Sequence, residues 1–280
     1  MKNFIILLFS FALICCTPKK SKEEASNSNL LKDNIDAKIV EAANLTDKYV
    51  HLLKGKNVGV VANQTSVIFK GDKNVHLVDS LLALDVNVTK VFAPEHGFRG
   101  KADAGEHIAD GIDKATDLPI ISLYGSNRKP SQEQLKGLEI MLFDIQDVGV
   151  RFYTYISTLH YVMEVCAELN IPLIVLDRPN PNRHYIDGPM LEKEVKSFVG
   201  MHPVPIVYGM TIGEYGKMIN GEKWLKDGVQ CNLTVIPLKN YTHKSEYDLP
   251  IKPSPNLPNS KSINLYPSLC FFEGTNVSAG

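Results

Sequence analysis

From residue 39 onward the chain alternates two hydrophobic rhythms. Short, nearly unbroken apolar runs at 56–62, 88–93, 119–124, 140–144, 172–176 and 233–237 predict strands. Runs of this kind suit strands buried on both faces, since a strand with one wet face alternates apolar and polar residues. Between them, apolar residues recur at helical spacing: Val75, Val78, Leu81 and Leu82, then Leu159, Val162, Met163, Cys166 and Leu169. That spacing sets each group on one face of a helix. It predicts helices over 39–53, 75–84, 153–170 and 211–224, with Asn170 as a C-terminal cap. Another short helix opens at Ser131, with Gln134 as its capping-box partner. Strands and helices in alternation imply an α/β fold, with a mostly parallel sheet covered by helices on both faces.

The texture changes after Gly188. The segment 248–266 carries Pro250, Pro253, Pro255 and Pro258 and predicts an extended, irregular loop. A strand-like stretch at 269–272 then delivers a fresh polar loop at 273–280, so further C-terminal sequence is expected beyond residue 280. The expected partition is an N-terminal segment 1–16, a tether 17–36, an α/β domain 37–188, and the beginning of a second α+β domain at 189–280.

Residues 4–14 are apolar except for Ser10 and follow a basic Lys2. The run is short for a membrane span and the right length for a signal-peptide core. Leu13-Ile14-Cys15-Cys16 resembles the lipobox of bacterial lipoproteins, with Cys16 as the lipidated residue; Gly, Ala or Ser is usual where Cys15 stands. Lipidation at Cys15 and plain secretion are the alternatives. Residues 17–34 are too polar to bury a core and read as a tether. Its Lys22-Glu23-Glu24 resembles the acidic patch that sends some lipoproteins to the outer surface of Bacteroidetes-type cells. The expected location is therefore exported and lipid-anchored, periplasmic or at the outer membrane.

Composition adds mainly exclusions. With 30 basic and 31 acidic residues the net charge is −1, and no basic cluster offers a nucleic-acid footprint. Cys166, Cys231 and Cys270 are far apart and lack zinc or disulfide-framework spacing. Nothing in the sequence fixes an oligomeric state.

The chemistry gathers where strands end. Asn63 and Gln64 follow the first strand, Glu95 and His96 the second, Asp144 and Asp147 the fourth, Asp177 and Arg178 the fifth. In a parallel sheet these ends share one edge, where α/β folds bind ligands. Pro94, Gly97 and Gly100 break the chain around Glu95, His96 and Arg99. The polar segment 101–118, with Asp103, Glu106, His107 and Asp110, is long enough to be functional or mobile.

No GxGxxG, GxxxxGK[ST], GxSxG or HExxH pattern occurs, which argues against dinucleotide binding, triphosphate cradling, esterase and zincin chemistry. Metal binding through His96, His107 and the aspartates lacks recognisable spacing. Carboxylates with amides and aromatics suit glycoside hydrolysis, where one acid protonates the leaving oxygen. Glu95 is the choice for that acid, because Phe92, Pro94 and Phe98 are placed to desolvate it. Arg151, Phe152, Tyr153 and Tyr155 offer an anion contact and ring stacking; a helix start packed on the sheet would use Tyr153 and Tyr155 equally well.

Five motifs, in order, carry a resemblance: Asn63-Gln64-Thr65, Ala93-Pro-Glu-His-Gly-Phe-Arg-Gly100, Phe143-Asp-Ile-Gln-Asp-Val-Gly149 with Arg151-Phe-Tyr-Thr-Tyr155, Leu176-Asp-Arg-Pro-Asn-Pro181, and Phe272-Glu-Gly-Thr-Asn276. Over about residues 55–280 the chain resembles the exo-β-N-acetylmuramidase family. The resemblance implies release of β-linked N-acetylmuramic acid from the non-reducing end of peptidoglycan fragments. It also implies a Rossmann-like domain joined to a second domain, with the site in the cleft between. No cofactor or metal is expected. Glu95 resembles the family's principal catalytic glutamate; Asp144, Asp147, Tyr153 and Glu273 fall in its other site motifs. Arg99, Arg151 and Arg178 are candidates for the lactyl carboxylate. Asn63, Gln64, His96, Asp177, Asn180 and Asn276 complete the expected substrate-binding set. A cell-wall glycan-binding lipoprotein without catalysis is the competing expectation.

Overall fold

A computed structural model describes residues 38–100, 110–269, 271, 272 and 275. Three strands form its centre: β1 (Val58–Ala62), then β4 (Val88–Ala93) and β7 (Ile140–Asp144) to either side. β6 (Pro119–Ser122) pairs with β4, while β8 (Leu173–Leu176) pairs with β7 and β9 (Leu233–Ile236) with β8, all parallel. A short antiparallel strand, β5 (Gly111–Ile112), closes the edge beyond β6. The order is β5-β6-β4-β1-β7-β8-β9. The chain thus winds outward from β1 to one edge, returns to β7, and winds to the other, in the Rossmann-like manner. The reversal falls between β1 and β7, and in open α/β sheets ligands bind beyond the strands' C-terminal ends at such a point.

The apolar runs behave as their composition requires. Every residue of β1, β7 and β8 is buried, and alternate side chains feed two separate cores. On one face Val61, Phe92, Met141, Phe143, Leu173 and Val175 meet two helices, α4 (Tyr155–Leu169) and α5 (Ile212–Gly221). On the other, Val60, Val91, Leu142 and Ile174 meet Tyr49, Leu53, Leu77 and Leu81 from α1 (Thr46–Leu53) and α2 (Leu77–Ala83). Asn170 caps α4 with a left-handed φ of 55°, and the Ser131–Gln134 capping box opens α3 (Gln132–Leu135).

Several elements differ from the sequence reading. An antiparallel hairpin, β2 (Val67–Lys70) and β3 (Lys73–His76), occupies the ground before α2, so that helix begins at Leu77 rather than at 75. The helix expected to reach 224 ends at Gly221, and the prolyl segment ends in α6 (Ser260–Leu265), opened by Asn259. Among the described residues of 269–272 none is in a strand: Tyr266–Leu269 is a 3-10 turn, and Phe271 is 84% exposed. The sheet also runs across residue 188, since β9 extends it; the described residues from Ile39 on belong to one compact unit.

Gly59 shows how tightly the centre is filled. A Cβ there would stand 2.5 Å from Met141 Sδ and 2.7 Å from Leu138 Cδ1. Gly59→Val is therefore expected to destabilise the fold by about 1–3 kcal/mol through overpacking, read as a lower urea midpoint; an unchanged midpoint would contradict this packing.

Candidate active site

Most of the polar edge is welded to itself. The Asn63 side chain accepts from the Thr65 amide at 2.9 Å and donates to the Tyr155 hydroxyl at 3.0 Å. Ser66 donates its hydroxyl to the Asp144 carbonyl, and Thr65 Oγ1 accepts from the Gln146 amide at 3.0 Å. The loop after β1 is thereby fixed to the end of β7. Asp144 itself is fully buried, and Arg178 grips its two oxygens at 2.6 and 2.8 Å. Arg178 also donates to the Val67 carbonyl at 3.2 Å. Burial pushes the Asp144 carboxyl up and the adjoining guanidinium pulls it back; the bidentate geometry is that of an ion pair.

Asp177 and Asn180 also face inward. One Asp177 oxygen accepts from the Gly213 amide at the start of α5 at 2.8 Å, the other from the Thr211 hydroxyl at 2.8 Å. Burial raises this carboxyl to about 6, against those donors. A side chain at Gly213 would collide with Asp177 at 2.7 Å. Asn180 accepts from the Asn182 amide and donates to the Met210 carbonyl, both at 2.8 Å.

Of the three arginines expected to meet a lactyl carboxylate, two are held by carboxylates of the chain. Arg178 is on Asp144, and Arg99 makes paired contacts to Asp79 (2.9 and 3.1 Å) and Asp113 (2.7 and 3.1 Å). Arg151 donates from Nη1 to the Pro189 and Val204 carbonyls at 2.8 and 2.5 Å. Glu273, Asn276, Cys16 and the segment 101–109 lie outside the described residues.

Two carboxylates stand apart from this weld. Glu95, half-buried, follows Pro94 at the end of β4, where Gly97 has a φ of 76° and the buried His96 one of 71°. Its partner is Tyr124, just past β6; burial and then the Glu95 charge raise that phenol. Phe98 is buried in this loop, packed edge-on to His76 at 4.7 Å. Asp147, in the loop after β7, accepts with one oxygen from the Gly149 amide at 2.6 Å and from the Tyr208 hydroxyl, while its Oδ1 is buried without a partner. Burial pushes this carboxyl up to about 7, with Tyr208 and the Gly149 and Val148 amides opposing.

Between Glu95 and Asp147 lies an aromatic wall. Tyr153 and Tyr155 meet edge-to-face at 4.9 Å, and Tyr155 also reaches the Glu95 carbonyl at 3.4 Å. The Tyr155 phenol is raised first by burial, and the charges of both Glu95 and Asp147 add to that. The prolyl segment crosses above: the Pro253 carbonyl accepts from Tyr153 at 2.8 Å and from Gln64 at 3.0 Å. Sequence reasoning missed Tyr124, Tyr208 and this crossing. Tyr124 ends a predicted strand and was within reach of the same edge argument; Tyr208 lies in a stretch with no periodicity. Among the described residues, no three or more His, Cys, Asp or Glu gather as a metal site would need.

The raised Asp147 fixes the sign of a pH effect. In the folded chain it keeps its proton over a range where an ordinary aspartate, near 3.8, has lost it. Its contribution favours folding at low pH and is lost as pH rises from about 4 to about 7. Asp147→Asn, which removes the ionisation, is expected to abolish that fall. The stability of the wild type minus that of the variant should decline by up to about 1.4 kcal/mol per pH unit across this window. A difference independent of pH in urea unfolding between pH 4 and 8 would show that Asp147 is ionised throughout.

Comparisons with known proteins place the chain among relatives. Residues 58–261 match the family described as exo-beta-N-acetylmuramidase NamZ, N-terminal. The peptidoglycan beta-N-acetylmuramidase NamZ of Bacillus subtilis is 40% identical over 98% of this chain, which spans 64% of that protein's length. Two crystal structures of DUF1343 family proteins from Bacteroides fragilis are also similar. One has a TM-score of 0.76 and 49% identity, covering 86% of this chain and 64% of that one. The other has a TM-score of 0.75 and 36% identity, covering 84% and 60%. By the extent of the match and the order of its motifs, the chain belongs to the exo-β-N-acetylmuramidase NamZ family.

Proposed function

We propose that this chain forms the catalytic-acid side of a glycosidase that releases β-linked N-acetylmuramic acid from the non-reducing end of peptidoglycan fragments. One observation carries the reading: Glu95 and Asp147 flank the Tyr153–Tyr155 wall beside the sheet's reversal point. The similar Bacillus subtilis protein, named a peptidoglycan β-N-acetylmuramidase, supports it.

In this reading Glu95 protonates the leaving glycosidic oxygen, and the tyrosine rings carry the apolar face of the sugar. Asp147 suits a different task. When Asp147 is ionised, its partnerless Oδ1 accepts the N–H of the 2-acetamido group and turns the acetamido oxygen toward the anomeric carbon, as an internal nucleophile. Asp144, bound to Arg178, is not available for that role. The reading includes export on a lipid attached at Cys16, with the polar residues 17–36 as tether.

In a protein extended to the length of its relatives, Glu95→Gln is expected to cut release from a chromogenic β-N-acetylmuramide with a poor leaving group by about 10²–10⁴-fold. Absence of release by the wild type would sink the enzyme reading; equal rates would sink the assignment of the acid. Cys16→Ala should move the protein from the membrane fraction to the soluble fraction of the cell envelope. An unchanged distribution would remove Cys16 as the anchor.

A further inference from the structure

One buried cation takes no part in this chemistry. Arg183, in the turn after β8, is only 8% exposed. Its Nη1 donates to the Pro181 carbonyl at 3.2 Å, within its own turn, and its Nε has no acceptor. Arg99 and Arg178 each face carboxylates, whereas no ion pair joins Arg183 to a described carboxylate. A guanidinium withdrawn from water without a counter-charge is costly, and a charge-assisted hydrogen bond from a ligand would offset that cost.

Arg183 lines a cavity of about 550 Å³ together with His184, Lys244, Tyr247 and Asn264 of α6. That volume suits a small organic ligand. The other charges around it, Glu246 and Asp248, are exposed at the rim, where Asp248 accepts from Ser260 at 2.6 Å. The one buried charge of the lining is thus cationic, and its exposed charges carry both signs.

The cavity shares no lining residue with the Glu95, Asp147 and Tyr153–Tyr155 set, although the loop that carries Asp147 is only one strand away. β8 lies three strands from β4 in the sheet, so at about 4.8 Å per strand the two loops start about 14 Å apart. We infer that this cavity is a second binding site, taking a ligand that carries a carboxylate, with Arg183 as its buried cation and Lys244 as its exposed one. Two sources of that carboxylate fit the proposed substrate: free N-acetylmuramic acid, through its lactyl group, and a short acidic peptide of the kind attached to muramic acid. Only this choice of probes rests on the muramidase reading; the site does not.

Calorimetric titration of the chain with N-acetylmuramic acid, with L-alanyl-D-glutamate and with uncharged N-acetylglucosamine tests the inference. Saturable binding is expected from at least one carboxylate probe and not from N-acetylglucosamine, and the probe that binds identifies the source. Arg183→Gln should weaken that binding at least tenfold. Lys244→Met, at the exposed rim, should weaken it about threefold and carries the test if the buried variant does not fold. No binding of either carboxylate, or wild-type affinity in the folded variants, overturns the site. A crystal structure with the bound probe should place its carboxylate against Arg183; density for it on the Tyr153–Tyr155 wall instead would overturn the second site. A protein that titrates normally but releases no muramide would overturn only the proposed reaction.

Discussion

The bidentate pair between Arg178 and Asp144 is the contact on which the polar edge depends. It joins the C-terminal ends of two neighbouring strands, and through the Val67 carbonyl it also holds the loop that leaves β1. A carboxylate this deep in the fold carries a heavy desolvation cost unless a cation lies in contact with it. Removing either partner would leave the other charged and buried, a loss of about 3–5 kcal/mol in comparable sites. The hydroxyls of Ser66 and Thr65 are hung on the same frame, so the end of β7 and the turn after β1 move as one piece.

That rigidity explains the division of labour among the acids. Asp144 and Asp177 have their oxygens filled by donors from the chain and act as fasteners, the first between strands, the second between β8 and the start of α5. Glu95 and Asp147 lie at the margin of the frame, Glu95 beside Tyr124 and Asp147 with its Oδ1 buried without a donor. A glycosidase needs acids in unlike surroundings so that one carries a proton while the other orients or stabilises. Here the unlikeness comes from position: one is half-exposed beside Tyr124, the other buried beside Tyr208 and the Tyr153–Tyr155 pair.

The strands and main helices were legible because doubly buried strands must be apolar throughout, and helices flanking them must show one apolar face. The hairpin at 67–76 was not legible: Lys70, Gly71, Asp72, Lys73 and Asn74 are exposed, so burial leaves no pattern there. The site was legible as a set of positions and only partly as a set of roles. Asp144 and Arg178 are 34 residues apart, and whether they bond or face a ligand depends on β7 and β8 being neighbours. A run of buried strands does not disclose its lateral order, so the lactyl role expected of Arg178 could not be separated from a structural one. Tyr208 reaches Asp147 across 61 residues and has no local signature at all.

The crossing at Pro253 has a consequence in the counting of protons. A phenol has one hydrogen to give, and the hydroxyl of Tyr153 gives it to the Pro253 carbonyl. A sugar oxygen or acetamido carbonyl that accepts from Tyr153 therefore displaces that backbone oxygen, and both cannot be served at once. The prolyl segment behaves in this respect as a built-in competitor for the aromatic wall. Any affinity gained through Tyr153 is a net of two equilibria, one for the incoming group and one for the strap that leaves.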